Sequence, residues 1–491
     1  MQQKSLKQKA ISGMIWTFFQ RFSKIGVSFV SGIVLARLLS PFDYGCIGML
    51  AIFISIAETF IDGGFGAALI QKKNPTQEDY STIFYWNLGM AFALYSLLFI
   101  SAPYVAEFYG ISILKDVLRV QGIILFLYAL NLIQRNQLRK SLDFRILSIV
   151  SVLTTVISLT ISIIMAYRGF GVWALVVQNL IGSTITAFVF WKYTKWRPLP
   201  VFSLKSFKEL FSFGFYMFIT NIVNKTSNQI HGLMIGKMYN PITTGYYSKA
   251  FTTEQLASQS ISYIMAQVTY PLYAEIQDEK QQMNYIIRHL TMTLAYLTFP
   301  LLFILIMLAK PIFILIYSEK WLQSVPYFQA LCIAGIAGCL QSVNLQSILA
   351  IGKSKTMFIW TLVKQVIGIG AVIIGLLVGG MKGLLVGVIV NYWFSYFVNI
   401  ALVSKYIGYK WMRQIHDILP ILFFSLFAVL ISYYAGSIFN SIYIQAVVEL
   451  LMYLFVYVLW SYLFKPESYK FFISVAYPLM SSLGIKVRIS K

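Results

Sequence analysis

Fourteen apolar runs, each long enough to cross a bilayer, follow one another along this chain and constrain its fold more than any motif does. They cover roughly 11–36, 45–70, 81–103, 117–134, 145–167 and 171–192, then 211–236, 246–271, 289–309, 326–350, 356–379 and 383–404, and finally 418–436 and 442–464. The segments between them are short, so no loop can house a soluble catalytic domain. Composition agrees: 58% of the 491 residues are hydrophobic and 11% charged, against about 25% charged in soluble domains. A soluble globular protein is excluded, and the expected fold class is an all-α polytopic membrane protein of about fourteen transmembrane helices.

The 39 Lys and Arg against 17 Asp and Glu give a net charge of +22, which by itself suits a nucleic-acid binder. Position decides otherwise. The cations fall in short clusters between apolar runs, as topology signals do. With the N-terminus inside, 26 cations lie in cytoplasmic segments and 7 on the opposite side, so both termini are expected in the cytoplasm. Lys4, Lys7 and Lys9 precede an unbroken apolar run without a small-residue cleavage site, which reads as a first transmembrane helix rather than a cleaved signal. Six further cations lie within or at the ends of apolar runs: Arg21, Lys24, Arg119, Lys225, Lys249 and Lys364.

Two longer connections mix aromatic and basic residues, as segments lying in the headgroup region do. The expected organisation is an N-lobe of six helices (1–197), an amphipathic cytoplasmic linker (198–210) and a C-lobe of six (211–404). A second amphipathic linker (405–417), two further helices (418–464) and a basic cytoplasmic tail (465–491) follow. The two halves carry a repeat: LARLLSPFDYG at 35–45 aligns with IGKMYNPITTG at 235–245, cation on cation, proline on proline and glycine on glycine. Six helices return each half to its starting side, so a duplication of this kind relates the lobes by a pseudo-two-fold along the membrane normal.

Polar residues concentrate in the first helix of each half. Thr17, Gln20, Arg21, Lys24, Ser28 and Ser31 recur at spacings of three and four, which places them on one helix face. At 1.5 Å per residue Arg21 lies roughly 15 Å past the cytoplasmic entry, near the bilayer midplane. The seventh helix has Thr220, Asn221, Asn224, Lys225, Asn228 and His231. A cation at the centre of a spanning helix costs about 2.5–3.5 kcal/mol in lipid, so these groups should face water or a partner. Two readings stand: an anion-binding cavity, or a structural network paired with buried carboxylates. Arg21, Lys24, Lys225 and Lys249 outnumber the central acids Glu58 and Glu254, which favours the cavity. Gln20, Asn221, Asn224 and Asn228 would line it; Glu58, Glu254 and His231 are candidates for coupling or counter-charge.

Other chemistries find little footing. Cys46, Cys332 and Cys339 lie in or beside apolar runs without metal-ligand spacing and read as core residues. Gly352-Lys353-Ser354 imitates the end of a phosphate-binding loop, but Ser347 stands where its first glycine is needed. Glu78-Asp79 and Asp278-Glu279 are adjacent pairs rather than the spaced carboxylates of a metal-dependent glycosyltransferase, and His231, His289 and His416 assemble no hydrolytic triad. No enzyme, no cofactor, no metal and no nucleotide is expected.

Several segments resemble the polysaccharide flippases of the Wzx type, within the multidrug/oligosaccharidyl-lipid/polysaccharide exporter superfamily. They are SGMIW at 12–16, LARLLSPFDYG at 35–45, DGGFGAALIQKK at 62–73, GYYSKA at 245–250 and VTYPLYAEIQ at 268–277. The resemblance implies a bacterial inner-membrane protein that carries an undecaprenyl-diphosphate-linked oligosaccharide from the cytoplasmic to the periplasmic leaflet. Two lobes would rock about a central cavity whose cations, by position Arg21, Lys24, Lys225 and Lys249, hold the diphosphate and acidic sugars. A glycan polymerase and glycosyltransferases are candidate partners. The second helix has no arginine, where the related lipid II flippases carry cavity charge, so their residue roles do not transfer wholesale. A multidrug antiporter of the same superfamily should place an acid beside Arg21 and Lys24. A membrane-embedded polymerase or ligase should have a large external loop. Neither feature is present in the sequence.

Overall fold

The computed structural model describes Ser23 and residues 26–473, except for the side chains of Val268 and Pro271. Every regular element among the described residues is a helix. In chain order these are α1 (Gly26–Leu38), α2 (Pro41–Asp62), α3 (Phe65–Gln71), α4 (Gln77–Tyr109), α5 (Ile113–Gln121), α6 (Ile124–Lys140), α7 (Phe144–Tyr167) and α8 (Val172–Thr194). There follow α9 (Leu204–Met238), α10 (Pro241–Glu275), α11 (Lys280–Met307), α12 (Ala309–Tyr317), a 3-10 turn (Glu319–Ser324), α13 (Val325–Ala350), α14 (Ser354–Tyr406), α15 (Trp411–Gly436) and α16 (Ile442–Phe464).

Ten segments among the described residues are long and apolar enough to cross a membrane. Three features separate that number from the fourteen runs of the sequence. The 53-residue α14 would be about 80 Å long if straight, far beyond a hydrocarbon core of about 30 Å. It is broken at Gly380 (φ 58°, ψ −143°), a conformation open to glycine because it has no Cβ. The halves then run back along each other, so that a Cβ on Gly375 would strike the Gly383 carbonyl and one on Gly383 the Gly375 carbonyl. Next, α9 and α10, at 35 residues each, are long enough to span but too polar to count among the ten. Finally, the start of the first run lies outside the described residues.

By packing, the chain divides into two compact units, one ending at Ser248 and the other beginning at Lys249. The division falls inside α10. In the first unit α2 is central, packing against α4, α6, α8 and α9. Met49, Leu50 and Ile54 of α2 are buried in one core with Leu98 of α4, Leu118 of α5 and Val176 of α8, and Cys46 is fully enclosed there. In the second unit α13 is central, packed against α11 and α14, with Cys332 and Cys339 buried on it.

Small residues bring α2 and α9 into backbone contact. A Cβ on Gly232 would strike the Gly48 carbonyl, and at the far end Gly214 faces the Gly63–Gly64 turn, where a Cβ would stand 2.9 Å from the Gly64 carbonyl carbon. The repeated motifs also meet. A Cβ on Gly45 would collide with the Pro241 carbonyl, and one on Gly245 with the Pro41 carbonyl, a reciprocal contact of like with like. Both helix starts are built alike: Ser40 caps α2 through the Asp43 N–H at 3.3 Å, and Asn240 accepts the Thr243 N–H at 2.8 Å. In each case proline occupies the first turn, where its missing N–H is no loss.

The segment preceding α9 is tied to the start of α4. Trp196 donates to Gln77 at 2.7 Å, and Ser81 and Thr82 accept the backbone N–H groups of Leu199 and Ser203 at 2.9 and 3.0 Å. Lys72 bridges Asp79 and Glu209 at 3.0 and 3.2 Å. Partial burial pulls the Lys72 ammonium down, but those two carboxylates outweigh it and hold its pKa above the ordinary lysine value. The amphipathic linker expected at 198–210 is therefore half extended strap and half helix, because no breaker interrupts α9 from Leu204 on. The second, at 405–417, likewise runs into α15 at Trp411.

The α2–α9 contact makes a stability prediction. Gly232→Leu should destabilise the detergent-solubilised protein by at least the roughly 1–3 kcal/mol of an overpacked site, read as a lower melting temperature. Gly89→Ala on α4, with open space around it, should leave the melting temperature unchanged.

Candidate functional site

The polar helix of the second half is α9. Spacings of three and four from Asn221 through Asn224 and Lys225 to Asn228 keep these side chains on one face. Lys225 and Asn228 are exposed, and Asn221 and Asn224 are partly buried. Lys225 is eleven residues after Gly214 and seven before Gly232, whole numbers of turns in both directions. It therefore lies on the face that packs along α2, between the two backbone contacts. His231 is buried, its ring 5.6 Å from that of Tyr247, and its Nδ1 has no hydrogen-bond partner among the described residues.

Glu58 on α2 interacts electrostatically with both Lys225 and Arg135 of α6. Arg135 in turn feels Tyr128, Arg139, Glu58 and Asp62. Asp62 sits at the end of α2, where its carboxyl faces the backbone N–H groups of Gly64 and Gly66 and caps the turn into α3. Three cations thus share two acids. Among the described residues none of Lys225, Arg135 and Arg139 has a carboxylate within 4.0 Å. This is a positively biased field, unlike a set of closed ion pairs, and in partly buried surroundings such a field acts over longer range than in water.

Lys249 and Glu254 belong to the second unit. Lys249, expected to face a cavity, is instead enclosed: its ammonium stands 4.1 Å from the centre of the Tyr317 ring and 5.8 Å from that of Trp321. Ring faces offer a desolvated ammonium partial compensation for lost water, which is how α10 buries a lysine at this position. Glu254 is also buried, against Gly335 of α13 and in hydrogen-bond reach of Ser258. Its Oε1 has no hydrogen-bond partner among the described residues. Lys364 donates to Asn399 at 2.9 Å and is buried in a polar contact between the two halves of α14. Arg119 stacks on Phe99 at 4.2 Å. Gln20, Arg21 and Lys24 lie outside the described residues.

Reading the sequence missed Arg135 and Arg139, which counted only as topology cations. A signal was available: Asn131, Arg135 and Arg139 recur every four residues, so α6 carries one polar stripe where its cations should otherwise scatter. Lys140, counted in the same cluster, closes the C-terminus of α3 by donating to the carbonyls of Leu69 and Ile70 at 3.2 and 2.9 Å and to that of Lys72.

A many-helix membrane fold with a span-length polar helix bearing an exposed cation marks that helix face as the candidate functional site. The chain belongs to the polysaccharide biosynthesis protein family, whose model matches residues 34–326. It is 27% identical over 358 residues to the teichuronic acid biosynthesis protein TuaB of Bacillus subtilis, covering 72% of this chain and 74% of that protein. It is 21% identical over 443 residues to the lipopolysaccharide biosynthesis protein WzxC of Escherichia coli, covering 89% of each. In three dimensions it resembles the lipid II flippase MurJ in an inward closed conformation, with a TM-score of 0.71 and 19% identity over 92% of this chain and 99% of that one. The protein is thus a many-helix chain of the polysaccharide biosynthesis family with the fold seen in MurJ.

A double-mutant cycle checks the shared field. Glu58→Gln should lower the melting temperature, because Lys225 and Arg135 lose their common counter-charge. Adding Lys225→Gln should restore part of the loss, with a coupling of at least about 0.5 kcal/mol; simple additivity would show that the two groups do not interact.

Proposed function

We propose that this protein carries an undecaprenyl-diphosphate-linked oligosaccharide from the cytoplasmic to the periplasmic leaflet of a bacterial inner membrane. The observation that carries the reading is α9, a helix of spanning length with Asn221, Asn224, Lys225 and Asn228 on one face in a chain of the polysaccharide biosynthesis family. Unaided transfer of a glycan through hydrocarbon is prohibitive, since each hydroxyl or amide loses hydrogen bonds worth several kcal/mol. A polar seam keeps those groups solvated while the prenyl tail remains in lipid. Lys225, joined by Arg21 and Lys24 of the first helix, stabilises the diphosphate near the midplane.

The chain crosses fourteen times in this reading. The ten apolar spans are joined by the first helix, by α9 and α10, and by the second half of the α14 hairpin. Both termini are cytoplasmic, and the halves arose by duplication, a reading that the like-with-like motif contacts Pro41–Gly245 and Pro241–Gly45 support. Transport proceeds by alternating access. The Gly64–Gly214 contact and the motif contact lie at opposite ends of α2, and they part in turn as cargo enters and leaves. A polymerase and glycosyltransferases act on the same glycan before and after it is moved.

Arg21→Ala and Lys225→Ala should each reduce surface glycan at normal membrane abundance, and the double variant should reduce it further; full glycan display in the double variant would remove the cationic seam from the mechanism. Cysteines introduced at Lys353 and Lys237 should label from opposite sides of the membrane, and labelling from one side would overturn the fourteen-crossing topology.

A further inference from the structure

Within the second unit, the two ends of the α14 hairpin and the start of α11 form a cleft of about 350 Å³, lined by Lys280, Lys353, Lys405 and Tyr406. Lys280 opens α11, while Lys353 and Lys405 stand at opposite ends of α14. The fold at Gly380 is what returns the second end to the first. Glycines also set the two chain reversals. Gly352 (φ 74°) follows α13, with its N–H on the Leu349 carbonyl at 3.0 Å and that of Lys353 on the Ile348 carbonyl at 3.2 Å. Gly408 (φ 94°) ends α14, its N–H returning to the Val403 carbonyl at 3.2 Å. The Gly352-Lys353-Ser354 stretch, an imitation of a phosphate-binding loop in the sequence, is thus a helix-to-helix turn that presents one lysine to the cleft.

Three cations around one small space repel one another unless an anion joins them. All three lysines are exposed, and each stands at the end of an apolar helix of spanning length, the depth at which lipid head groups lie. Asp278 and Glu279 immediately precede Lys280, yet among the described residues none of the three lysines has a carboxylate within 4.0 Å. The Lys353 and Lys405 ammonium groups share one ring, at 5.6 and 5.5 Å from the centre of Tyr406. That is the outer limit of a cation–π contact, against 4.1 Å for Lys249, so the ring gathers both cations and leaves their N–H donors free for a ligand. Lysines that only fix topology need no common partner and spread into the headgroup layer; these converge from separate points of the chain. Met283, Ile351 and Ile407 complete the walls, and the cleft is amphipathic.

We propose that this cleft binds the phosphate group of an anionic membrane lipid, held as a resident ligand rather than as cargo. The ammonium groups of Lys280, Lys353 and Lys405 donate charge-assisted hydrogen bonds to the phosphate oxygens, a task for which lysine serves as a compact point charge. The glycerol backbone and first methylenes rest on Met283, Ile351 and Ile407, which a free phosphate would leave uncovered. At the low end of the roughly 300–1,000 Å³ of small-ligand sites, the cleft takes a head group and is too small for a long glycan. A lipid bound there ties the start of α11 to both ends of the α14 hairpin and stabilises the folded second unit by mass action. The inference goes beyond the flippase reading and takes nothing from it.

The test follows the melting temperature of the purified full-length protein in detergent micelles as lipid is added, since a ligand of the folded state raises it with concentration. Dioleoyl phosphatidylglycerol should act at a concentration at least about tenfold below that of dioleoyl phosphatidylcholine, whose head group has no net charge. Lys353→Gln/Lys405→Gln should abolish that difference, and Lys353→Arg/Lys405→Arg, which keeps both charges, should retain it. Should the glutamine pair not fold, Lys280→Gln alone, a single exposed change, should narrow the difference. Lys205→Gln/Lys208→Gln removes two exposed lysines from the other basic linker and should leave the difference as it is. An equal response to the two lipids, a difference that survives loss of the cleft lysines, or one lost equally in the Lys205→Gln/Lys208→Gln variant overturns the proposal. Inorganic phosphate or glycerol 3-phosphate acting at the same concentration as phosphatidylglycerol would make the cleft a site for soluble phosphates and overturns the assignment to lipid. No glycan is present and nothing is transported in this assay, so its failure leaves the flippase reading standing.

Discussion

A cation and three asparagines on one face of a helix of spanning length cannot be left in hydrocarbon, and the architecture of the first unit follows from that constraint. Lipid would charge several kcal/mol for the Lys225 side chain alone. The face that bears it is turned along α2 instead, where Glu58 supplies partial compensation. Glycines make the arrangement possible. Gly214 and Gly232 let the backbones of α2 and α9 touch on either side of Lys225, so the two helices are held as a pair by close packing while their polar middle is left for function. In membranes, where lipid tails compete equally for apolar side chains, such small-residue contacts are a principal means of holding helices together.

The balance of charge matters more than its amount. Three basic groups and two acids in mutual electrostatic reach leave a positive excess without closing any pair to contact distance. A closed buried pair would be rigid and inert toward ligand. An open set can exchange one partner for an anionic ligand and back again, which suits the flippase proposed above. Lys249 is the contrasting case: shut against Tyr317 and Trp321, it has partners that no cargo needs to replace.

Much of the fold was legible because periodicity and length are written directly in apolar runs, and the membrane permits few alternatives. The LARLLSPFDYG motif and its mate at 235–245 marked an internal repeat, and the structure brings the two copies into reciprocal contact. Legibility ended where function depends on which neighbour a side chain meets. Lys249 and Lys225 look equivalent in a linear reading, yet aromatic rings from a distant turn enclose one and leave the other open. Arg135 and Arg139 fell into a cluster that charge counting treats as topology, and only the packing of α6 against α7 and α8 turns them toward a polar space. The seventh helix joined the first unit for the same reason: its glycines, unremarked in a hydropathy profile, decide what it packs against.

The central claim is that the Lys225 face of α9 is wet. Single cysteines at Asn221, Asn224, Lys225 and Asn228, with Ile219, Val223 and Ile230 as the opposite face, test it directly in native membranes, since Cys46, Cys332 and Cys339 are buried. Reaction with a membrane-impermeant thiol reagent should follow the helical period, fast at the first four positions and slow at the last three. Uniformly slow reaction, or reaction only at the ends of the helix, would mean that no aqueous path passes Lys225 and would contradict the account.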